Sequence, residues 1–285
     1  MDPLSPPPLG PTSQAKVEAP LTPPSNPAGE PAPAVLVPPS TTRTLKIEHQ
    51  TTYNYSQMVQ RSVHRLHLRP VTDAKQRLLS FDLKVSPESP FSEYQDVFGN
   101  QAARLEISNP YTEFQVAAHS VVELVDDDPF AFANQPIRPG FPLSWMPWEL
   151  TMLSPYLTSE ELPELQLREL FDYALSFVES NQRDLMETLF AINLTLFREY
   201  KYVPGSTALE TTPYEVFERK EGVCQDFANL FICLARLLGI PARYVCGYVF
   251  CPQLDSLQSA ASHAWVELYI PHVGWKGFDP TNGIL

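Results

Sequence analysis

The order of elements in this sequence predicts an α+β fold: an N-terminal antiparallel β-sandwich-like region, then helices packed on a second antiparallel sheet. Three observations carry that reading. Residues 44–128 alternate apolar and polar positions, with turn residues between the runs. From Leu165 to Gly239 the apolar spacing changes to the helical period. After Pro241 the alternation returns in short runs. Helices gathered ahead of a sheet, instead of alternating with its strands, are the α+β order.

The first 40 residues carry 13 of the 30 prolines and few large apolar side chains. Such a composition cannot bury enough surface to offset the entropy of ordering. Residues 1–40 therefore read as a disordered tail, partly in polyproline II conformation. "SPPP" and "TPP" read as linker ahead of docking motif.

Residues 41–130 form the expected β-rich domain. "TLKIEHQTTYNY", "VHRLHLRP", "LLSFDLKVSP", "EYQDVFGNQAARLEIS" and "EFQVAAHSVVELVDDDP" supply five or six strands. "VFGNQAARLEI" reads as a hairpin with Gly99 and Asn100 in its turn. His64 and His67 in "HRLH" stand three apart on a strand, so they point to opposite faces and do not make a metal pair.

Residues 131–164 read as a connector. Their Pro-rich, aromatic text, "PIRPGFPLSWMPWEL", has no clear period, and Trp145 and Trp148 are its packing candidates. Residues 165–285 form the expected core. In "LQLRELFDYALSFVESN" the residues Leu167, Leu170, Phe171, Ala174, Leu175 and Val178 make one apolar stripe. "RDLMETLFAINLTLFREYKY" gives a second helix. "TTPYEVFERKEG" starts a third, with Thr212 as N-cap, Pro213 at the first position and Glu215 closing a capping box. Gly222 is expected to stop it. A fourth helix runs from about Val223 to Gly239, with Pro241 beyond. Strands follow in "ARYVCGYVF", "HAWVELYI" and "WKGFDP", the last two joined by the turn "PHVG".

Totals bound the function. The chain has 285 residues, a net charge of -13 and a pI near 4.9. That lacks the basic footprint that nucleic acid or an anionic membrane requires. No segment approaches the ~18 apolar residues of a membrane span. The start, "MDPLSPPPLGPTSQ", has neither a basic region nor an apolar run, so no secretory leader is expected. The cysteines Cys224, Cys233, Cys246 and Cys251 form no C-x-x-C pair and no zinc pattern. They read as reduced thiols of a cytoplasmic protein.

The chemistry points to Cys224. It lies after a glycine, at the start of the helix whose buried stripe is Phe227, Phe231, Leu234 and Leu238. Free backbone N–H groups in a first helical turn stabilise a thiolate. They can also donate to an oxyanion formed on a carbonyl that the sulfur attacks. A thiol nucleophile needs a base, and the base needs an orienting group. "SHAW" puts His263 at the start of a strand, and "GFDPTNG" puts Asp279 at the end of its antiparallel neighbour. Asp226, two residues on, is expected to face away, ~200° around the helix. Spacing alone leaves the alternative open: Cys224 as a small core residue, His263 and Asp279 as caps.

"GVCQDFANLFICLARLLGIPARYVCGY", "SHAWVELYIPHVGWKGFDPTNG" and "YVPGSTALETTPYEVF" resemble the transglutaminase-like superfamily, papain-like enzymes with Cys-His-Asp order. "TTYNYSQMVQRSVHRLHLRP" resembles the N-terminal region that precedes this core in many bacterial members. Together they cover roughly residues 44–285. The resemblance implies Cys224 as nucleophile, His263 as base and Asp279 as orienting acid. It implies no cofactor, and nothing resembles the acidic clusters of a calcium-dependent animal transglutaminase, so no metal is expected. Members usually continue for another strand or two past the matching aspartate, which implies a shortened core. Tyr202, before "VPGST", is either a donor to the oxyanion or a core residue. Cys233 and Cys246 read as packing, Cys251 as a loop thiol, and Trp265 as a wall of the site or core filling.

The expected activity is acyl transfer from the amide bonds of peptides or proteins through a Cys224 thioester. Hydrolysis is favoured over transfer to an amine, because water is always present and no amine site is legible. The alternatives are a protein transglutaminase, a non-catalytic interaction module or an inactive homologue.

Overall fold

The structure, a computed structural model, describes residues 8–18, 42–125, 138–159, 161–208, 210–250 and 262–285. The chain divides into two units. One comprises residues 1–128 with 248–262, and the other residues 129–247 with 263–285.

The first unit holds seven strands among its described residues: β1 (Pro8–Glu18), β2 (Thr42–Val59), β3 (Ser62–Leu66), β4 (Gln76–Ser86), β5 (Phe91–Gln95), β6 (Gln101–Ile107) and β7 (Tyr111–Val125). One antiparallel sheet has the order β1-β2-β7-β4 and the other β3-β6-β5. Val59 of β2, Leu105 and Ile107 of β6, and Tyr111, Phe114 and Val116 of β7 meet in one core between them. Alternation along β7 fixes its register, since a slip of one residue would turn Phe114 and Val116 to water. A second cluster, Leu45, Ile47 and Val122, is covered by Tyr248 and Phe250. The β5–β6 hairpin forms as expected, with Gly99 at φ 86° in its turn. Asp96 closes that turn by accepting the N–H groups of Phe98 and Asn100.

The expected tail is corrected over Pro8–Glu18, which pairs with β2 from Thr12↔Thr52 to Glu18↔Lys46. Averaging composition over 40 residues hid a proline-free window, Thr12–Ala19. Backbone ladder bonds need N–H groups more than apolar side chains, and here Ala15 is also buried. The rest of the expected tail lies outside the described residues.

The second unit begins with α1 (Pro147–Leu157), α2 (Glu164–Ser180) and α3 (Leu185–Glu199). Then come β8 (Lys201–Tyr202), α4 (Pro213–Arg219), β9 (Glu221–Gly222) and α5 (Cys224–Leu237). The sheet β10 (Ala242–Gly247), β11 (His263–Ile270) and β12 (Gly274–Phe278) closes it, antiparallel in that order. Helix α5 is buried nearly all round, through Phe227, Leu230, Phe231, Leu234 and Ala235. Fully burying a Phe or Leu contributes about 1.5–3 kcal/mol, so packing more than propensity fixes this helix. Its apolar surroundings come from Leu170 and Ala174 of α2, Leu189 and Ile192 of α3, and Val266, Leu268 and Ile270 of β11. Alternation along β11 leaves His263, Trp265, Glu267 and Tyr269 on the other, half-buried face.

Two further expectations are corrected. Part of the connector is helix α1, whose Pro147 fits a first turn and whose Glu149 accepts the Met146 N–H. Apolar residues on several sides of α1 hid its period, and Trp148 is exposed. Trp145 instead donates its indole N–H to the Gly239 carbonyl at 3.0 Å. Helix α4 keeps its expected capping box but ends at Lys220, in the left-handed region at φ 52°, rather than at Gly222. Among the described residues no helix is long and apolar enough to cross a membrane.

Candidate active site

The start of α5 is assembled by short local devices. Parallel pairing of β8 with β9 puts Tyr202 beside Gly222. At Gly222 a Cβ would lie 2.9 Å from the Asp226 Cβ, so only glycine lets the chain approach so closely. Val223, the N-cap, has no acceptor in its side chain. Asp226 supplies the cap from inside the helix: its Oδ2 accepts the Val223 N–H at 2.7 Å and the Thr207 hydroxyl at 2.7 Å. The side chain that the helical angle alone turned away from Cys224 thus folds back over the helix start. Asp226 is 2% exposed, and both donors are needed to satisfy a charge so deep.

His263 opens β11 opposite Gly247 of β10. Its Nε2 meets Asp279 Oδ2 at 2.7 Å. The ring also hydrogen-bonds Cys224, which leaves Nδ1 as the nitrogen for the thiol. Asp279 follows β12 and is 7% exposed. Its Oδ1 accepts the N–H groups of Thr281 at 2.9 Å and Asn282 at 3.2 Å. Its Oδ2 accepts the Asn282 amide at 2.7 Å as well as His263. Trp265 stacks on His263, centroids 6.2 Å apart, and a Cβ on Gly247 would lie 2.6 Å from the indole. It walls the site, with glycine beneath it.

The structure therefore brings Cys224, His263 and Asp279 together in the order thiol, imidazole, carboxylate. Burial alone would lower the His263 pKa, but the Asp279 and Cys224 hydrogen bonds outweigh it and raise the group to about 9. Burial would raise Asp279, and its bond to His263 outweighs that and holds it below the ordinary carboxylate value. Burial also raises the hydroxyl pKa of Tyr202 and Tyr244, with negative charge at Cys224 and Asp226 contributing to both and at Cys246 to Tyr244. Tyr202 is 39% exposed, so it is not a core residue. An imidazolium held beside a thiol is the arrangement that keeps sulfur as a nucleophilic thiolate near neutral pH.

Sequence reasoning missed Asn282, Tyr244 and the Asp226–Thr207 bond. The text held a signal for two of them. An aspartate followed by two turn residues, Asp279 to Asn282, is an Asx-type turn, and an acid at the third helical position is a capping position. His64 stacks on Phe114 at 4.0 Å and accepts or donates to Ser62, while His67 faces Asp96. No group of three or more metal-ligating side chains occurs among the described residues. Cys233 is buried, Cys246 is exposed, and Cys251 lies outside the described residues.

A cysteine at a helix start, facing a His–Asp pair on an antiparallel sheet, defines the papain-like class of fold. Two family profiles narrow it: the bacterial transglutaminase-like N-terminal region matches residues 45–123, and the transglutaminase-like superfamily matches residues 172–280. Residues 45–123 and 172–280 are thus similar to the two parts of a bacterial transglutaminase-like protein. It is 29% identical over 264 residues to an uncharacterised protein of Mycobacterium tuberculosis, covering 87% of this chain and 82% of that one. It is 33% identical over 91 residues to a protein-glutamine gamma-glutamyltransferase of Pseudomonas aeruginosa, covering 29% of this chain and 13% of that one. A crystal structure from Cytophaga hutchinsonii, described as a candidate cysteine protease, shares the fold with a TM-score of 0.65 and 24% identity. That match covers 86% of this chain and 78% of the other.

Proposed function

We propose that the protein is a thiol-dependent acyl-transfer enzyme acting on amide bonds of peptides or proteins. The observation that supports this most is the 2.7 Å His263–Asp279 bond, with the imidazole also bonded to Cys224. The Cys224 thiolate attacks the amide carbon, and the carbonyl electrons move onto oxygen. First-turn N–H groups of α5 donate to that oxyanion. As it collapses, the C–N bond breaks, His263 gives its proton to the leaving amine, and a thioester remains. Water attacks the thioester with His263 taking its proton, which releases the acid and restores the thiol. Asp279 holds the imidazole in the tautomer that presents Nδ1 to sulfur throughout.

Hydrolysis is the primary outcome. Likeness to a protein-glutamine gamma-glutamyltransferase favours the second one, in which a primary amine replaces water at the thioester. The two share every residue named above and differ in the acceptor.

The test takes the whole chain with a fluorogenic peptide-amide library, with and without a fluorescent primary amine. Iodoacetamide labelling and peptide mapping run in parallel. Fast alkylation confined to Cys224 near neutral pH, and loss of turnover in Cys224→Ala, are expected. Cys224→Ala removes little volume, so stability should change by roughly 1 kcal/mol or less. Turnover unchanged in Cys224→Ala, or equal slow alkylation of all thiols, would sink the mechanism.

A further inference from the structure

Asp279 uses its two oxygens differently. Oδ1 is fixed by main-chain N–H groups of Thr281 and Asn282, at 2.9 and 3.2 Å, which no side-chain change removes. Oδ2 carries the bond to His263, and its one other partner given by the structure is the side-chain amide of Asn282 at 2.7 Å. The same amide nitrogen stands 3.4 Å from His263 Nε2. It therefore lies against the His–Asp bond itself, at the position where a water would otherwise compete for Oδ2.

We propose that Asn282 is a positioning residue of the acyl-transfer site: its amide clamps Asp279 Oδ2 onto His263 and shuts water off from that bond. This rests on the catalytic reading of Cys224, His263 and Asp279 given above. It adds a fourth side chain, one that touches neither the sulfur nor the reacting carbonyl. The turn that carries it is tied down independently. Gly283 donates to the Asp279 carbonyl at 2.8 Å, and Asp279 donates its own N–H to Ile284 at 2.9 Å. Asn282 thus sits on a backbone that its side chain does not need to hold.

Two physical effects compete when the amide is removed, and they have opposite signs. As a donor to Oδ2, the amide drains charge from the carboxylate. Its loss through that effect alone would strengthen the pull on the imidazolium and raise the His263 pKa. As a clamp and a water shield, it keeps the carboxylate aligned in a dry setting. Its loss through that effect exposes the pair to solvent and lowers the His263 pKa. The titratable groups facing the ring are Asp279, at the end of β12, and Cys224, at the start of α5. Both remain in the variant, so the direction of the shift separates the two effects.

The experiment follows the His263 imidazole by NMR against pH in the full chain, for the parent, Asn282→Ala and Asn282→Ser. Near-UV circular dichroism establishes that each variant is folded, and serine serves if alanine does not fold. The expected result is a downward shift of the His263 midpoint, by half a unit or more, from the parent value towards that of a free histidine. The alkaline limb of kcat/KM should move with it. An unchanged or raised midpoint overturns the proposal. A second arm places Asn282→Ala in an Asp279→Asn background, where a clamp on Asp279 has nothing left to hold. No further shift is expected there, and a shift of the same size overturns the positioning role. Titration reads the His–Asp pair whether or not the thiol turns over. Loss of the shift in an active, Cys224-dependent enzyme defeats this inference alone. A normal shift in a protein whose turnover ignores Cys224 defeats the catalytic reading alone.

Discussion

At His263 burial and hydrogen bonding pull in opposite directions, and hydrogen bonding wins. Its pKa rises from 6.5 to about 9 because Asp279 and Cys224 both favour the charged ring. The sign of the stability effect follows. A group with a folded pKa above its unfolded value adds stability that is complete below about 6.5 and is lost as pH climbs through about 9. Asp279→Asn removes the anion and should cancel most of that contribution. Urea unfolding of parent and variant should differ clearly at pH 6 and converge at pH 10. Catalysis should follow the same logic. The thiol–imidazole pair titrates as a unit, so kcat/KM should be bell-shaped, with an alkaline limb that Asp279→Asn moves down while the rate falls by orders of magnitude. If Asp279 were only a turn cap before Pro280, the variant would lose a little stability and keep the parent profile. Cys224, His263 and Asp279 stood out in the text as residues at element ends, but spacing alone left them open as core residue and caps, and the resemblance to the transglutaminase-like superfamily joined them into one site. Asn282 did not stand out, because its part depends on which way a turn folds back.

At the scale of elements, the start of α5 is held from inside. Its N-cap residue, Val223, cannot cap, and the carboxylate of Asp226 takes over by binding Val223 N–H and the Thr207 hydroxyl. Asp226→Ala leaves both half-buried donors without their acceptor. An unmet buried partner costs about 1–3 kcal/mol, and the helix start that presents Cys224 should loosen with it. We expect lower stability by about that amount and slower alkylation of Cys224. Asp226→Asn keeps an oxygen where Oδ2 stood and should recover most of the stability. Equal losses in both variants would mean that charge, not the hydrogen bonds, fixes this helix start. The element boundaries show what periodicity can and cannot reveal. Helices α2, α3 and α5 carry one-sided or all-round apolar spacing strong enough to read directly. Helix α1 does not, because its apolar residues are spread around it and Pro147 reads equally well as loop or first turn. Gly222 looked like a helix stop because glycine commonly is one. Its actual role is steric, since the Asp226 side chain occupies the space a Cβ would need.

At the scale of the whole molecule, the sequence divided the chain by composition, whereas the structure divides it by contact. Tyr248 and Phe250 pack on Leu45, Ile47 and Val122 of the first unit, although they directly follow β10 in the chain. Composition cannot show that, because residues just past a strand read as loop whatever they pack on. The same limit applies at the N-terminus, where proline content masked β1. Pairing of β1 covers one edge of β2, and an uncovered edge of that length is open to pairing with another chain. Deleting residues 1–18 should therefore act on the first unit in two ways. It removes the ladder from Thr12 to Glu18 and the buried Ala15, together worth about 1–3 kcal/mol by the ordinary scale of such losses. For a unit of this size that is a fall in melting temperature of roughly 3–10 °C. It also bares the edge of β2, so the truncated protein should self-associate more as concentration rises, which sedimentation can measure. Cys224, His263 and Asp279 all lie in the second unit. Their signature, selective alkylation of Cys224 near neutral pH, should persist in the truncated chain at concentrations where it stays monomeric. A truncated protein with the parent melting temperature and no added self-association would show that β1 contributes nothing to the sheet it joins.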